Sequence, residues 1–509
     1  MARGCVYLVG AGPGDPKLLT LRAREALARA EAVVYDHLVH PEVLAWAPPG
    51  AERLAMGKVG HAEQCPQEAI TAALIQRAQE GRTVVRLKGG DPSVFGRLGE
   101  EAVALAERGI PVEIVPGVTA ASGAAAYAGI PLTHRDLAPS VTFVTGHGRD
   151  DGGPGRPVDW EALARTSGTL VIYMGVRRIG EVARALVDGG RAPDTPVALV
   201  RRATWPDQEV LAGTLETIAD RVRERRFRAP AVAVVGEVVA LREQLAWFDA
   251  KPLKGKRILV TRAAHQAGEL SGRLRDRWAV PVELPLIELR PCGHKSAVEA
   301  ALRRLFAYDW VVFSSANAVT FAFARLEEMG LDARAFGAAR VCAVGPKTAE
   351  ALAGRGIRAD VVPTRYVAEG LLEALGAEGP LRGASVLLPR AREARETIPE
   401  ALEAQGARVD VLPLYENVAP AAYPEEGLAA LRDGALDMVA LASSSAAVRY
   451  AELCRELGAD PRAVPCAVIG PVTRRTAESL GLPVAVAPER YTLDDLVDAL
   501  EAHFARPPR

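Results

Sequence analysis

Short apolar runs rich in β-branched residues alternate along the whole chain with longer stretches of helical period, the pattern of layered α/β structure with mostly parallel sheets. In the first half, Val6–Val9, Ala32–Tyr35, Thr83–Leu87 and Val112–Val115 read as one group of strands. Val141–Thr145, Thr169–Tyr173, Val197–Val200 and Ala231–Val235 read as a second group. A Gly/Ala-rich helical segment separates the groups and places a junction near Pro116-Gly117. Gly148 to Pro157, dense in Gly, Pro and Asp, reads as a surface loop. Lys251-Pro-Leu-Lys-Gly255 reads as a linker.

Beyond that linker the pattern is written twice. Ile258-Leu-Val-Thr-Arg262 recurs as Val386-Leu-Leu-Pro-Arg390, and Val312-Phe-Ser-Ser315 as Leu441-Ala-Ser-Ser444. Val344-Gly-Pro-Lys-Thr348 recurs as Ile469-Gly-Pro-Val-Thr473, and Pro363-Thr-Arg-Tyr366 as Pro488-Glu-Arg-Tyr491. The spacing is roughly 125 to 129 residues (344 to 469, 312 to 441), far longer than a solenoid period. Two domain-sized copies facing each other leave a cleft suited to a small molecule.

Composition narrows the classes. At 509 residues and 49% hydrophobic content the chain has room for three to four domains with full cores. A net charge of −1 offers no broad basic field for nucleic acid, so an anionic ligand must be met by local donors. Six scattered cysteines, with no pair at metal or redox spacing, fit a reducing cytosol rather than a disulfide framework. No segment has the length and apolarity of a signal peptide core or a membrane span, so a cytoplasmic protein without a metal site is expected.

Gly10-Ala-Gly-Pro-Gly-Asp15 follows a strand and invites a dinucleotide reading, which fails at its end. Asp15 would set a carboxylate beside pyrophosphate, and Pro13 removes a donor. Such a loop suits a neutral or cationic ligand. Further motifs follow in order: Val34-Tyr-Asp-His-Leu-Val39, Gly57-Lys58, Arg86-Leu-Lys-Gly-Gly-Asp-Pro92, Phe95-Gly-Arg97 and Pro116-Gly-Val-Thr-Ala120. Ala128-Gly-Ile-Pro-Leu-Thr-His-Arg135, Tyr173-Met-Gly175, Ala203-Thr-Trp-Pro-Asp-Gln208 and Pro230-Ala231 complete the set. Together they make residues 3 to 249 resemble the tetrapyrrole methylase superfamily, most closely uroporphyrinogen-III C-methyltransferase. The resemblance implies S-adenosylmethionine in a cleft between two α/β subdomains, about 1–116 and 117–250. Its contacts would fall on Pro13, Gly89, Gly90, Asp91, Val94, Thr119, Ala120, Met174 and Ala203. Glycines permit backbone approach, Asp91 can balance a sulfonium or bind a ribose or amino group, and Met174 offers a soft apolar wall. Asp36 matches the family's proposed base and Lys58 its proposed proton donor. Two positions depart from the family, Val59 where a second basic residue is common and Ser93 where an aromatic is usual.

Each copy of the repeat carries two strand-to-helix turns, Ser314-Ser-Ala-Asn317 with Gly345-Pro-Lys-Thr348, and Ser443-Ser-Ser445 with Gly470-Pro-Val-Thr473. Capping residues and a proline at the first helical position leave free N–H groups that bind anions. With Val411-Leu-Pro-Leu-Tyr-Glu-Asn417, these signatures make residues 257 to 505 resemble uroporphyrinogen-III synthase, after a linker at 251–256. That family closes hydroxymethylbilane, a linear polycarboxylate, with inversion of its last ring and without a cofactor. The implied subdomains are about 257–290 plus 418–505, and 291–417. Tyr415 matches a suggested proton donor. Ser314, Ser315, Lys347, Thr348, Ser443, Ser444 and Thr473 would bind substrate, and Arg262 and Arg390 could meet carboxylates.

The two resemblances name consecutive steps of one pathway. They imply a bifunctional enzyme that makes uroporphyrinogen III and methylates it twice to precorrin-2, on the route to sirohaem or cobalamin. Its partners would be small tetrapyrroles rather than nucleic acid or membrane, and a homodimer would form through the methylase half. The alternative is a methylase for another corrinoid or an RNA, fused to a non-catalytic tetrapyrrole-binding sensor.

Overall fold

The structure, a computed structural model, describes residues 4–56, 65–146, 157–292, 294–364, 368–394 and 396–505. Gly57, Lys58 and Val59, most of the loop expected at 148–157, and Tyr366 of the repeat lie outside the described residues. The chain divides into two compact units, one formed mainly by residues up to Lys256 and the other by Arg257–Arg275 with Pro281–His503.

The first unit holds two sheets. In the first, β1 (Cys5–Gly10), β2 (Ala32–Tyr35), β3 (Glu52–Ala55), β4 (Thr83–Lys88) and β5 (Val112–Val115) run parallel in the order β3-β2-β4-β1-β5. Alternation sends Val9, Val33 and Val85 to one buried face and Val6, Val34 and Val84 to the other. Both faces are covered, as a parallel sheet requires. In the second sheet, β6 (Val141–Thr145), β7 (Thr169–Tyr173), β8 (Pro196–Arg201), β9 (Glu209–Thr214) and β10 (Ala231–Val235) take the order β6-β7-β10-β8-β9. Only β6 and β7 pair in parallel here; β7–β10, β10–β8 and β8–β9 are antiparallel. The departure from an all-parallel sheet has a covalent cause. The link Arg202–Gln208 is too short for a crossover, which needs about a dozen residues, and so closes a hairpin.

The second unit contains β11 (Arg257–Val260), β12 (Val280–Glu283), β13 (Glu288–Pro291), β14 (Trp310–Phe313), β15 (Arg340–Ala343), β16 (Ser385–Ala391), β17 (Arg408–Val418), β18 (Met438–Leu441), β19 (Cys466–Val468) and β20 (Val484–Val486). They form two sheets, β12-β11-β18-β19-β20 and β13-β17-β16-β14-β15. The repeated sequence takes a repeated order: β12-β11-β18-β19 corresponds strand for strand to β17-β16-β14-β15. The first of these sheets draws strands from both sides of the second in sequence. The chain passes between them along β13 and β17, which pair antiparallel with Pro291 opposite Tyr415. Among the described residues no helix is long and apolar enough to cross a membrane.

One group of buried charges braces the first sheet. Arg86 and Lys88, two apart on β4, share a face, and the helix Leu98–Ala106 lays Glu101 over it. Glu101 is fully buried, and its Oε1 accepts from Lys88 Nζ at 2.8 Å, Arg86 Nε at 3.4 Å and Gln67 Nε2 at 2.8 Å. Burial, with the Arg86 charge beside it, pushes the Lys88 ammonium below its ordinary range; Glu101 pulls the other way. Glu101→Ala strands two buried cations and is expected to destabilise the unit by about 3–5 kcal/mol, read by urea unfolding of the intact chain. Surface Glu100→Ala, next to it, should cost under about 1 kcal/mol; equal losses would refute the brace.

Candidate functional site

In the first unit, the turns leaving β1, β4 and β5 meet backbone to backbone. Ala11 N donates to Lys88 O at 2.7 Å, and Gly12 and Gly90 exchange hydrogen bonds of 3.1 and 2.7 Å. A Cβ on Gly117 would stand 2.4 Å from Gly90 O and 2.8 Å from Gly10 Cα. Gly90 itself has φ +71°, a conformation that favours glycine. Asp91 locks the junction: its Oδ2 accepts from Gly117 N at 2.9 Å, while Oδ1 accepts from Ser93 N at 2.8 Å and from the Ser93 hydroxyl. That leaves about one lone-pair site for a ligand donor. Ser93, noted as a departure from the family, therefore has a local partner in Asp91.

The facing wall comes from the second sheet. Beyond β7, Met174 is held at φ +55° and is 48% exposed. The preceding Tyr173 hydroxyl bonds Thr119 Oγ1 at 2.6 Å and accepts from Ala121 N at 2.9 Å, and burial raises its pKa. Its ring meets Phe95 at 4.9 Å between centroids. Beyond β8, Ala203 is buried and Thr204 accepts from Asp15 N at 2.8 Å. Asp15 accepts from Tyr127 OH at 3.0 Å, and Gln208 joins Thr204 N to the Tyr127 carbonyl. Asp15 is thus consumed in tying the two layers together. Pro13 is seated on the same seam, because a Cβ on Gly123 would lie 2.5 Å from its ring. Tyr127, Tyr173, Thr204 and Gln208 were not singled out as site residues from sequence, although the last three sit inside quoted motifs.

Every position expected to touch the cofactor lies on these loops: Pro13 after β1, Gly89, Gly90, Asp91 and Val94 after β4, Thr119 and Ala120 after β5, Met174 after β7 and Ala203 after β8. The donor set is backbone amide, one partly used carboxylate and a thioether, which fits a small cation with amide-binding edges. Asp36 sits at the end of β2, half-buried; its Oδ1 accepts from Leu38 N at 3.0 Å, and Gly89 N lies 3.4 Å from its Oδ2. It therefore borders the same cleft.

In the second unit, the four turns open helices as expected from sequence. Ser315 and Ser443 are N-caps, accepting from Ala318 N at 3.1 Å and Ala446 N at 3.2 Å. Gly345 and Gly470 precede helices that begin with Pro346 and Pro471. Ser314 and Ser444 flank the capping serines and are partly exposed; Thr348 and Thr473 are buried in their first helical turns. Tyr415 on β17 is buried, stacks on Phe321 at 5.0 Å, and its hydroxyl lies 3.1 Å from Ser315 Oγ. Burial raises its pKa, with the Ser315 and Asn317 hydrogen bonds opposing. Polar contacts between elements of the two sheets include Gln266 Nε2 to Asn317 Oδ1 at 2.9 Å and Lys347 Nζ to Glu269 at 3.9 Å. Arg262 lies against Glu269 and Gln266, whereas Arg390 is buried and committed to Glu396 and the Ala394 carbonyl. Among the described residues no cluster of His, Cys, Asp and Glu could hold a metal ion.

Two family models match consecutive stretches, Tetrapyrrole (Corrin/Porphyrin) Methylases over residues 5–219 and Uroporphyrinogen-III synthase HemD over residues 268–498. Porphyrin biosynthesis protein HemD of Ruminiclostridium josui is 36% identical over 504 residues, covering 98% of this chain and 98% of that protein. Uroporphyrinogen-III C-methyltransferase of Bacillus subtilis (strain 168) is 42% identical over 337 residues, 66% of this chain and 68% of its own length. Siroheme synthase 1 of Yersinia enterocolitica is 54% identical over 250 residues, 49% of this chain; the match spans only 52% of that protein.

Gly117→Ala should lower the stability of the first unit by about 1–3 kcal/mol, since its methyl would press on backbone rather than on a movable side chain. Gly50→Ala, with nothing within 4 Å, should stay within about 0.5 kcal/mol. Thermal unfolding of both variants would show whether the contact is as tight as described.

Proposed function

The chain belongs to the family of fused tetrapyrrole enzymes in which a methylase precedes a uroporphyrinogen-III synthase, and we propose that it catalyses both reactions. Residues 257–505 close hydroxymethylbilane to uroporphyrinogen III. Residues 1–250 then transfer two methyl groups to that macrocycle, giving precorrin-2. The observation that carries the reading is the meeting of the β1, β4 and β5 turns at a cleft bordered by Asp36 on one side and Met174 on the other.

S-adenosylmethionine, when bound, supplies an activated methyl on a sulfonium. Gly89, Gly90, Thr119 and Ala120 would meet it through backbone groups, Met174 and Val94 through apolar contact, and Asp91 through its remaining lone pair. The chain's task is alignment, because an electron-rich pyrrole carbon needs little beyond in-line placement. Asp36 takes the proton that must leave the methylated macrocycle. Its carboxylate is held by Leu38 N, and the Gly89 amide ties its position to the cofactor loop. Lys58 is the proton donor in this scheme.

In the synthase half, the Tyr415 hydroxyl carries its proton at neutral pH, as any phenol does, and is the donor to the departing hydroxyl in this scheme. The capped helix openings at Ser314-Ser315 and Ser443-Ser444, with Lys347, meet substrate carboxylates without a metal. Thr348 and Thr473 belong to the other two openings, where they are buried in the first helical turns after Gly345 and Gly470.

Intact chain with uroporphyrinogen III and labelled donor should give a doubly labelled product; absence of transfer would remove the methylase reading. Asp36→Asn and Lys58→Met should bind the donor normally and lose about 10²–10⁴ in turnover. Tyr415→Phe should shift the product of hydroxymethylbilane from the type III toward the type I isomer by chromatography. A type III yield equal to that of the unaltered chain would exclude Tyr415 as donor.

A further inference from the structure

We propose that a polar cavity at the end of the second sheet away from the cofactor loops binds a small zwitterion of the amino-acid class. Its carboxylate would lie on Arg191 and Thr169 and its ammonium toward Glu237. The inference goes beyond the reading above and does not rest on it, because neither a tetrapyrrole nor a methyl donor takes part.

Strand register locates the cavity. β7 starts at Thr169, and β10 ends beside it with Val235 opposite Leu170. β8 starts at Pro196, whose carbonyl accepts from Gly236 N at 2.9 Å. Met174 and Ala203 emerge from the other ends of β7 and β8, about 13 Å away along β7 at the usual rise of a strand. The cavity has a volume of about 260 Å³. That is room for a small metabolite and too little for a macrocycle.

Its lining carries unmet polar groups. Thr169 is fully buried, and its Oγ1 has no hydrogen-bond partner among the described residues. A Cβ built on Gly236 would stand 3.7 Å from that oxygen and 3.9 Å from Gly168 O. Gly168 O in turn accepts from Arg191 Nη2 at 2.7 Å, so the hydroxyl and the guanidinium border one space. Arg191 Nη1 is buried and is likewise without a partner among the described residues. Main chain holds the arginine there: Gly190, at φ +102°, turns the chain after the helix Ile179–Asp188, and Arg191 N donates to Leu186 O at 2.9 Å. Burial keeps its guanidinium below the ordinary range, with Glu237 opposing.

Two adjacent buried donors call for an acceptor, since leaving them unmade costs free energy. Charge narrows the acceptor's class. Glu237 lines the same cavity from an exposed position, yet Glu237 and Arg191 form no ion pair with each other among the described residues. A simple anion would satisfy the donors and be repelled by Glu237. A simple cation would meet Glu237 and leave the donors unmade. A molecule with a carboxylate at one end and an ammonium at the other satisfies both.

The test is isothermal titration calorimetry of the intact chain with each of the twenty common amino acids, and with acetate and methylammonium as the two half-ligands. At least one amino acid should bind at least about tenfold tighter than either half-ligand. Thr169→Val keeps the side-chain shape and removes only the hydroxyl. Its melting temperature should stay level or rise, while its affinity for that amino acid falls about tenfold. Glu237→Gln, at an exposed site, should weaken the amino acid by about fivefold and leave acetate no weaker. No binding by any amino acid would assign the cavity to solvent and overturn the proposal. Acetate binding as tightly as the amino acid would overturn it too, as would unaltered amino-acid affinity in both variants.

Discussion

Three backbones meet at Gly10, Gly90 and Gly117, and a Cβ on Gly10 or Gly117 would stand 2.6 or 2.4 Å from the Gly90 carbonyl. The first unit is built outward from that contact. Once the β1, β4 and β5 turns are pressed together, Asp91 can reach the Gly117 amide and the Gly12–Gly90 bridge can form. The Gly89 amide then comes to rest beside Asp36. Thr119 is carried to Tyr173, and Pro13 to the seam with the second sheet. A cleft assembled from main chain keeps its shape without regard to side-chain rotamers. It can therefore hold a flexible ligand in one geometry at small entropic cost.

Much of this was legible in sequence because the decisive signals are local. Strands β2, β5, β6, β7 and β10 begin and end where their apolar runs do, since apolar residues dominate them whether they are buried (β2, β7, β10) or partly exposed at an edge (β5, β6). Strands β3 and β9 escaped notice for the complementary reason. They lie at sheet edges, and Glu52, Arg53 and Glu209 break their apolar pattern. The cofactor motifs were readable as motifs, but the partners of their side chains were not. Asp15 with Thr204 and Tyr127 is a contact across most of the first unit, and nothing in the sequence near Asp15 announces it. Asp91 was expected to face the ligand and spends most of its acceptor capacity on Ser93 and Gly117. Arg390, expected among substrate carboxylates, is buried against Glu396, a residue that the repeat does not highlight.

The two units use opposite strategies. Side chains in the first unit tie its layers together through buried or half-buried bonds. In the second, Gln266–Asn317 and Lys347–Glu269 are polar contacts at partly or fully exposed sites, each contributing little to stability. Such contacts break at small cost, as a pair of layers that must admit a bulky chain and close around it requires.

The β12-β11-β18-β19-β20 sheet has a consequence during synthesis on the ribosome. β11 and β12 emerge long before β18, and must wait for it with their apolar faces uncovered. The intervening β13-β17-β16-β14-β15 sheet needs no later strand and can form in the meantime. A nascent chain halted between Val418 and Met438 would thus display a finished middle layer preceded by β11 and β12 still lacking their central neighbour, a species prone to capture by chaperones.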